Sequence, residues 1–425
     1  MLYWYKIAVV LTVKYGCRKR ILDPAADAKM EVFCMKKILG VVLASALVAG
    51  AFAQVTTGVE FRTNVDVADW ASVKDGDNTS SYFKQDNKDD THIGVTASGK
   101  NAGVTAEVNF DLDKATILGV GTVYGWFTVK GFKVSSGKFN SRWTPRLKNA
   151  ADDAINLSIL EPYKYGSAVK FLDGATATQQ NPGFDMDNMT HGTKLAAIGD
   201  YTFAIGESQL LVKASIFDST PGFDHMKSGF GFEAVFQSKL FSVDAVVKVP
   251  YKDTVATGAF FSMKPIDMLN FVVGATLAWD NRVSGTDVFI TAFDARARMT
   301  PLEALAITLM GNYTLVTADA GGKAYVDGKY VAVNAEYMLN DMFTLFGEVG
   351  YFDTEAAVTG NEKDAGANPL KYYANMKVQA GTIIKPVENV SVSAALRLRF
   401  NVEEDVAAGA EQVGFGIPVA MKIAF

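Results

Sequence analysis

Apolar and polar residues alternate along most of this chain with a period of two. In the first such run, one face of a strand would carry Val55, Val59 and Phe61, and the other would carry Glu60 and Arg62. Successive side chains of a strand point to opposite faces, whereas a helix would mix the two sets around its surface. The period therefore predicts strands with one apolar and one polar face.

Counting the alternating runs predicts about 16–18 strands, with 14 as the lower bound. The runs lie near 55–68, 91–99, 102–112, 120–129, 132–140, 190–198, 207–218, 228–238, 241–250, 255–264, 268–280, 286–299, 303–316, 329–338, 342–353, 371–384, 388–402 and 412–425. A sheet whose apolar face meets lipid can leave no edge unpaired. We therefore predict an all-β protein, a closed antiparallel transmembrane β-barrel.

A short motif with a central proline recurs in the second half of the chain. It occupies 263–269, 299–305 and 384–390, with a looser version at 338–343. Each copy ends one alternating run and begins another, and proline presets φ for a tight turn. Longer polar stretches, such as 317–328 and 353–369, lie between the copies. This arrangement predicts short periplasmic turns on one rim and long extracellular loops on the other.

The N-terminal region carries the zones of an export signal. We predict a signal peptide over 35–53, which opens with a basic tripeptide and continues as an apolar stretch to Gly50. Ala51 and Ala53 then form a small-x-small cleavage site. The mature chain would therefore begin at Gln54.

Residues 1–34 precede this predicted signal. We interpret them as a mis-assigned upstream extension, with Met35 the true start; the apolar run at 7–13 is too short for an extended anchor that spans a membrane. Both cysteines, Cys17 and Cys34, lie before the predicted cleavage site. The mature chain would then hold no disulfide and no thiolate metal site.

The last run carries the most specific motif. Every second position is apolar, and the chain stops on phenylalanine: Val413, Phe415, Ile417, Val419, Met421, Ile423 and Phe425. This strand resembles the terminal assembly signal of bacterial outer-membrane proteins. Together with the export signal, the layout of 54–425 resembles the porin family. The resemblance implies an outer-membrane location in contact with lipid, insertion by periplasmic chaperones and the barrel-assembly machinery, and an assembly that can be a homotrimer.

Composition and charge argue against a disordered chain and against a nucleic-acid-binding protein. Hydrophobic residues make up 49% and charged residues 20% of the chain, which is typical of a folded protein. Residues 1–53 hold eight of the 41 basic and three of the 46 acidic residues, so 33 basic and 43 acidic residues follow them. A chain with this acidic excess is a poor nucleic-acid binder.

The longest stretch without a pattern, about 141–189, would form the third outer loop. In the porin family, which this layout resembles, that loop folds into the barrel and narrows it. Here it contains acidic residues that could face a constriction: Asp152, Asp153, Glu161 and Asp173. A loop of this length is functional or disordered in most compact folds. Two interpretations stay open, a constriction loop and a loop that lies on the surface.

The phase of the strands predicts which basic side chains face the lumen. They are Arg62, Arg296, Arg298, Lys377, Arg397 and Arg399. An arginine that faces lipid at mid-bilayer costs roughly 2–4 kcal/mol, so these charges belong inside. They could form a basic strip that sets up a transverse field with an acidic loop. Alternatively, they could pair with inward carboxylates such as Glu336 and Glu348.

The sequence contains few residues in patterns that indicate an enzyme active site. The three histidines, His92, His191 and His225, do not have the spacing of metal ligands, and no glycine-rich phosphate loop follows a strand. We therefore predict no cofactor, no metal and no enzymatic activity. The leading hypothesis is a porin that forms a channel for ion transport and passive diffusion of small hydrophilic solutes. The alternatives are a transporter of fatty acids or other hydrophobic substrates, a surface adhesin and a soluble periplasmic β-protein.

Overall fold

The computed structural model describes residues 54–85, 91–110, 118–138, 195–218, 228–249, 254–280, 287–319, 323–358, 376–402, 409 and 411–425. Every regular element within these ranges is a β-strand. No helix in them is long and apolar enough to cross a membrane. The predicted extension, signal peptide and cleavage residues Ala51 and Ala53 lie outside the described part of the chain.

Nineteen strand segments follow one another along the chain. They are β1 (Gln54–Val73), β2 (Thr79–Gln85), β3 (Thr91–Ser98), β4 (Ala102–Phe110), β5 (Leu118–Val129), β6 (Phe132–Lys138), β7 (Leu195–Ile205), β8 (Ser208–Asp218), β9 (Ser228–Gln237), β10 (Phe241–Val249), β11 (Thr254–Ile266), β12 (Leu269–Asp280), β13 (Asp287–Leu302), β14 (Leu305–Asp319), β15 (Lys323–Met338), β16 (Phe343–Val358), β17 (Met376–Val387), β18 (Val390–Phe400) and β19 (Glu411–Ala424). Each pairs antiparallel with its neighbours in sequence order, apart from β2 and β3.

The sheet closes into a cylinder at β1. One edge of β1 pairs with β19 from Glu60 to Val73. Its other edge pairs with β3 over its first half and with β2 over its second half. The segments β2 and β3 thus occupy one position in the wall, which gives 18 wall strands. The predicted closed antiparallel barrel and its strand number are confirmed, although the short β2 segment had not been recognised in the sequence.

The wall has two chemically different faces. On β10, Val243 and Val247 are exposed on the outer face, while Asp244, Val246 and Lys248 are buried on the inner face. Val247 is 45% exposed and Lys248 only 1%. Exposed aliphatic and aromatic side chains continue around the outside of the cylinder, and a surface of this kind is stable only in contact with lipid. The fold is therefore that of a transmembrane barrel.

The two rims differ in the length of their connections. Short turns join the strands in pairs on one rim: 99–101, 130–131, 206–207, 238–240, 267–268, 303–304, 339–342 and 388–389. Gln54 is paired with Ser98, so the first strand also begins at this short-turn rim. The other strand ends lie at the opposite rim, apart from the junction of β2 and β3, which follow each other in one wall position, and most of the connections there are longer. The predicted separation of short turns from long loops is confirmed.

The proline motif has a structural counterpart. Its three full copies each contain a β-bulge just before the turn, between Met263 and Ile266 in the first copy. The bulge adds one residue, so Met263 and Ile266 both face outward although their spacing is odd. The N–H of Lys264 donates to the carbonyl of Leu240 at 2.9 Å, and its counterparts in the other two copies bond to the preceding turn in the same way. The motif therefore keeps the outer face apolar down to the turn and connects each turn to its neighbour.

Two local features differ from the sequence prediction. Strands were expected at 190–198 and 207–218, but the first is Leu195–Ile205, and Gly206 turns the hairpin with φ of +61°. In β1, a bulge between Asp66 and Asp69 reverses the alternation. As a result, Trp70 faces outward and Asp69 faces the lumen. A simple count with period two does not detect such an inserted residue.

Candidate functional site: the inner wall of the barrel

The structure places all six predicted basic residues on the inner face. Arg62 belongs to β1, Lys377 to β17, and the others to β13 and β18: Arg296, Arg298, Arg397 and Arg399. Three strands, β14 to β16, separate β13 from β17. The basic residues therefore do not form one uninterrupted strip. Their role in lining a water-filled pore stays a prediction.

A first cluster of charges lies near the short-turn rim, where β1 meets β19. Glu60 forms ion pairs with both Arg62 and Lys422, the second with Nζ 3.5 Å from Oε2. Arg62 and Lys422 are opposite each other in the strand register. One carboxylate thus offsets two cations. Sequence reasoning had placed Arg62 and Glu60 on one polar face but had not identified Lys422 or the pairing.

A second cluster lies on the same wall, nearer the long-loop rim. The Nη2 of Arg399 is 2.7 Å from Oδ1 of Asp69, and its Nε donates to Oε1 of Glu411 at 2.7 Å. These side chains are 16–24% exposed, so water reaches them. They belong to three successive strands, β18, β19 and β1. The sequence had not indicated Asp69, because the bulge in β1 changes the face on which it lies.

A belt of hydrogen bonds crosses β15 to β18 at one height. The Glu348 carboxylate accepts from Asn334 Nδ2 at 2.8 Å and from Gln379 Nε2 at 2.5 Å. Gln379 Oε1 in turn accepts from Arg397 Nε at 2.9 Å. The four residues are successive cross-strand partners. Buried polar groups need such partners, so the belt stabilises these side chains against the wall.

The row of inward register partners continues beyond Asn334 toward β13, although no hydrogen bond extends the belt from Asn334 to Thr308. Thr308 is the cross-strand partner of Asn334, and Arg298 is the partner of Thr308. The Nη1 of Arg298 donates to Thr308 Oγ1 at 3.3 Å, and its Nη2 is 3.8 Å from Glu336 Oε2. Arg298 therefore lies beside one of the two inward carboxylates suggested as partners from the sequence.

The inner face of β8 to β10 carries a third group of charges. Lys213 Nζ is 3.4 Å from Glu233 Oε2. Glu233 is fully buried, as are Asp244 and Lys248 on the next strand. Apolar residues such as Phe217 share this face. Solvent therefore reaches the inner charges near β1, β18 and β19 more readily than those of β8 to β10.

The predicted assembly residues lie at the closure of the barrel. Phe425 exchanges two backbone hydrogen bonds with Val59, with N···O distances of 2.8 and 2.9 Å. Met421 and Ile423 pair with Thr63 and Phe61 on β1. Their function as an assembly signal stays a prediction. The acidic loop residues Asp152, Asp153, Glu161 and Asp173 lie outside the described ranges, as does the whole of the loop at 141–189.

The described part of the inner wall offers ionic and amide groups. Among the residues that the structure describes, no three His, Cys, Asp or Glu side chains are grouped so that they could hold a metal ion. The arrangement can bind water and hydrated ions through paired charges of both signs.

Comparison with solved structures places this fold among the outer-membrane porin-type barrels. The structure is similar to an anion-selective porin from Comamonas acidovorans, with a TM-score of 0.51 and 12% identity, over 88% of this chain and 100% of that chain. OmpT, an outer membrane protein of Vibrio cholerae, gives 0.46 and 13% over 88% and 98%. A mutant of Rh. blastica porin gives 0.41 and 13% over 88% and 100%. No protein-family model and no curated protein sequence matches the chain. At these identities, the likeness concerns the fold.

Proposed function

We propose that this protein is an outer-membrane porin, a channel for the passive diffusion of ions and small hydrophilic solutes. The observation that carries the proposal is the closed wall, with aliphatic side chains exposed outside and ionic side chains inside. Such a wall separates lipid from water without leaving a backbone group unpaired in the bilayer. The charged side chains near β1, β18 and β19 are partly exposed to solvent, which supports an aqueous path along that part of the wall.

The pairing of inner charges bears on the ion preference. Arg62, Arg298 and Arg399 each lie beside at least one carboxylate. These ion pairs favour the interpretation in which nearby carboxylates neutralise the arginines. They do not favour the alternative, a strip of unpaired positive charge. We therefore propose a weakly selective channel rather than a strongly anion-selective one.

Further parts of the proposal rest on the sequence. They are export by cleavage before Gln54, assembly through the C-terminal strand and the barrel-assembly machinery, a constriction formed by 141–189, and a homotrimer. N-terminal sequencing of the protein from outer membranes tests the cleavage. Chemical cross-linking in native membranes tests the trimer.

Current through planar bilayers tests the channel itself. Refolded protein should give stable current steps, with a small reversal potential in a tenfold KCl gradient. Glu60→Gln removes the carboxylate that offsets Arg62 and Lys422, so the reversal potential should move toward anion preference. Glu207→Gln is a matched control, because Glu207 also pairs with a lysine, Lys239, but on an exposed turn. Folded protein without current steps would contradict the proposal.

A second candidate is a transporter of hydrophobic substrates. It is favoured by one observation, an apolar cluster on the inner face near the short-turn rim: Phe346, Ile383, Ala395 and Ala420. The cluster places apolar surface on the inside of the barrel, although its residues are buried in this structure. Saturable binding of a long-chain fatty acid, combined with the absence of conductance, would favour this candidate over the porin.

A further inference from the structure

The closure of the barrel is reinforced by a side-chain device on its inner face. We propose that Arg399, Asp69 and Glu411 form a seam clamp, which holds β18, β19 and β1 together near the long-loop rim. The seam is the pairing of β1 with β19, where the first and the last described strands meet. The inference goes beyond the proposed function, because it concerns how the cylinder stays closed whatever it conducts.

The reach of Arg399 is the first observation. The Arg399 side chain begins on β18, and its guanidinium contacts Asp69 on β1. The side chain therefore crosses the whole width of β19. Neighbouring strands are about 4.8 Å apart, which makes this a span of roughly 10 Å between backbones. The same guanidinium is bonded through Nε to Glu411 on β19. One cation is therefore shared by carboxylates on the two strands that form the seam.

The path of the side chain across β19 is cleared by two glycines. A Cβ on Gly414 would lie 2.7 Å from Arg399 Nη2 and would also collide with the Glu411 carboxylate. A Cβ on Gly416 would lie 3.1 Å from Asp69 Oδ1 and 3.3 Å from Arg399 Nη1. Larger residues at these positions would displace the guanidinium from the wall.

The bulge in β1 supplies the third component. Without the extra residue between Asp66 and Asp69, Asp69 would share the outer face with Val65. With it, the carboxylate faces inward toward Arg399. Three separate features, the bulge, the glycine pair and the long basic side chain, thus converge on one contact.

A double-mutant cycle tests the clamp in refolded barrels. Asp69→Asn should accelerate unfolding in urea by about tenfold, the effect of losing one contact with a charged group. Arg399→Gln should accelerate it by at least as much, because it also removes the contact with Glu411. The double variant should unfold about as fast as Arg399→Gln alone, because that substitution already removes the contact with Asp69, whereas independent effects would multiply. Gly414→Ala should match them, whereas Gly347→Ala should not, because a Cβ there meets nothing within 4 Å. Arg399→Lys keeps the positive charge, so its unfolding rate should lie between those of the wild type and Arg399→Gln. This milder variant still tests the clamp if the other variants do not refold.

A disulfide across the seam distinguishes a clamp from ordinary local packing. Val65 and Val419 are register partners across the seam, and Val333 and Val349 are partners between β15 and β16. When Val65→Cys and Val419→Cys are oxidised to a disulfide, Arg399→Gln should no longer accelerate unfolding. With the control disulfide at 333 and 349, its effect should remain. An equal effect of Arg399→Gln with both disulfides, or additive effects in the cycle, would overturn the proposal.

Discussion

Replacing Leu396 by arginine would place a charge on the lipid-facing side of β18 near the middle of the strand. Leu396 is 57% exposed and lies between the inward residues Ala395 and Arg397. An arginine at the bilayer midplane of a barrel costs roughly 2–4 kcal/mol. This corresponds to a reduction of about 30- to 700-fold in the folding equilibrium constant, since about 1.4 kcal/mol is a factor of ten.

The assay is urea unfolding of the barrel refolded into lipid vesicles, followed by tryptophan fluorescence. Leu396→Ala separates the loss of apolar contact from the cost of the charge. Val402→Arg is the depth control, because Val402 follows the end of β18 near the long-loop rim and is also exposed. Arginine near an interface costs only about 0–1 kcal/mol. We expect Leu396→Arg to lose at least about 1 kcal/mol more of the free energy of unfolding than Val402→Arg.

Equal stability of the Leu396→Arg variant and the wild type would refute the reasoning. It would mean that this face meets water or a polar partner instead of acyl chains. A large loss with Leu396→Ala alone, equal to that with arginine, would assign the effect to packing and would also contradict the proposed lipid contact.

Two further predictions concern the belt and the turns. Glu348→Ala should lower the free energy of unfolding by about 1–3 kcal/mol, because the buried amides of Asn334 and Gln379 lose their acceptor; Glu348→Gln should lose less, and an equal loss would contradict the belt. Gly131→Ala should lower the urea midpoint more than Gly206→Ala. Both glycines have positive φ, but only the added Cβ at Gly131 meets a ring, that of Tyr201 at 3.2 Å. If both variants lowered the urea midpoint equally, backbone strain alone would account for the loss, and the contact with Tyr201 would not matter.

The sequence was sufficient for the closed barrel because one physical constraint governs nearly every strand. Lipid on one side and polar surroundings on the other impose the period of two, and the proline motif marks several of the short turns. The turn at 130–131 falls between two of the predicted runs, 120–129 and 132–140, and both of its residues have the positive φ that a two-residue type I′ turn requires. Arg397 and Arg399 lie on the inner face of β18 for the same reason, and their role in a pore stays a prediction.

The partners of the inner charges could not be predicted in this way. Periodicity assigns a face but not a neighbour, because pairing depends on register across strands that are distant in sequence. Asp69 shows the limit most clearly, since a single bulged residue moves it from one face to the other. The inner apolar residues, such as Ile383, were also missed, because one apolar residue among polar ones does not disturb the alternation enough to be noticed.

Spin labels placed one at a time along β18 test the two-faced wall most directly. Labels at successive positions from Val392 to Arg399 in vesicle-embedded protein would be probed with oxygen, which enters lipid, and with a water-soluble nickel complex. The account predicts oxygen accessibility that peaks at every even position, and contact with the nickel complex at Arg397 and Arg399. Oxygen maxima at the odd positions, or a period near 3.6, would contradict it.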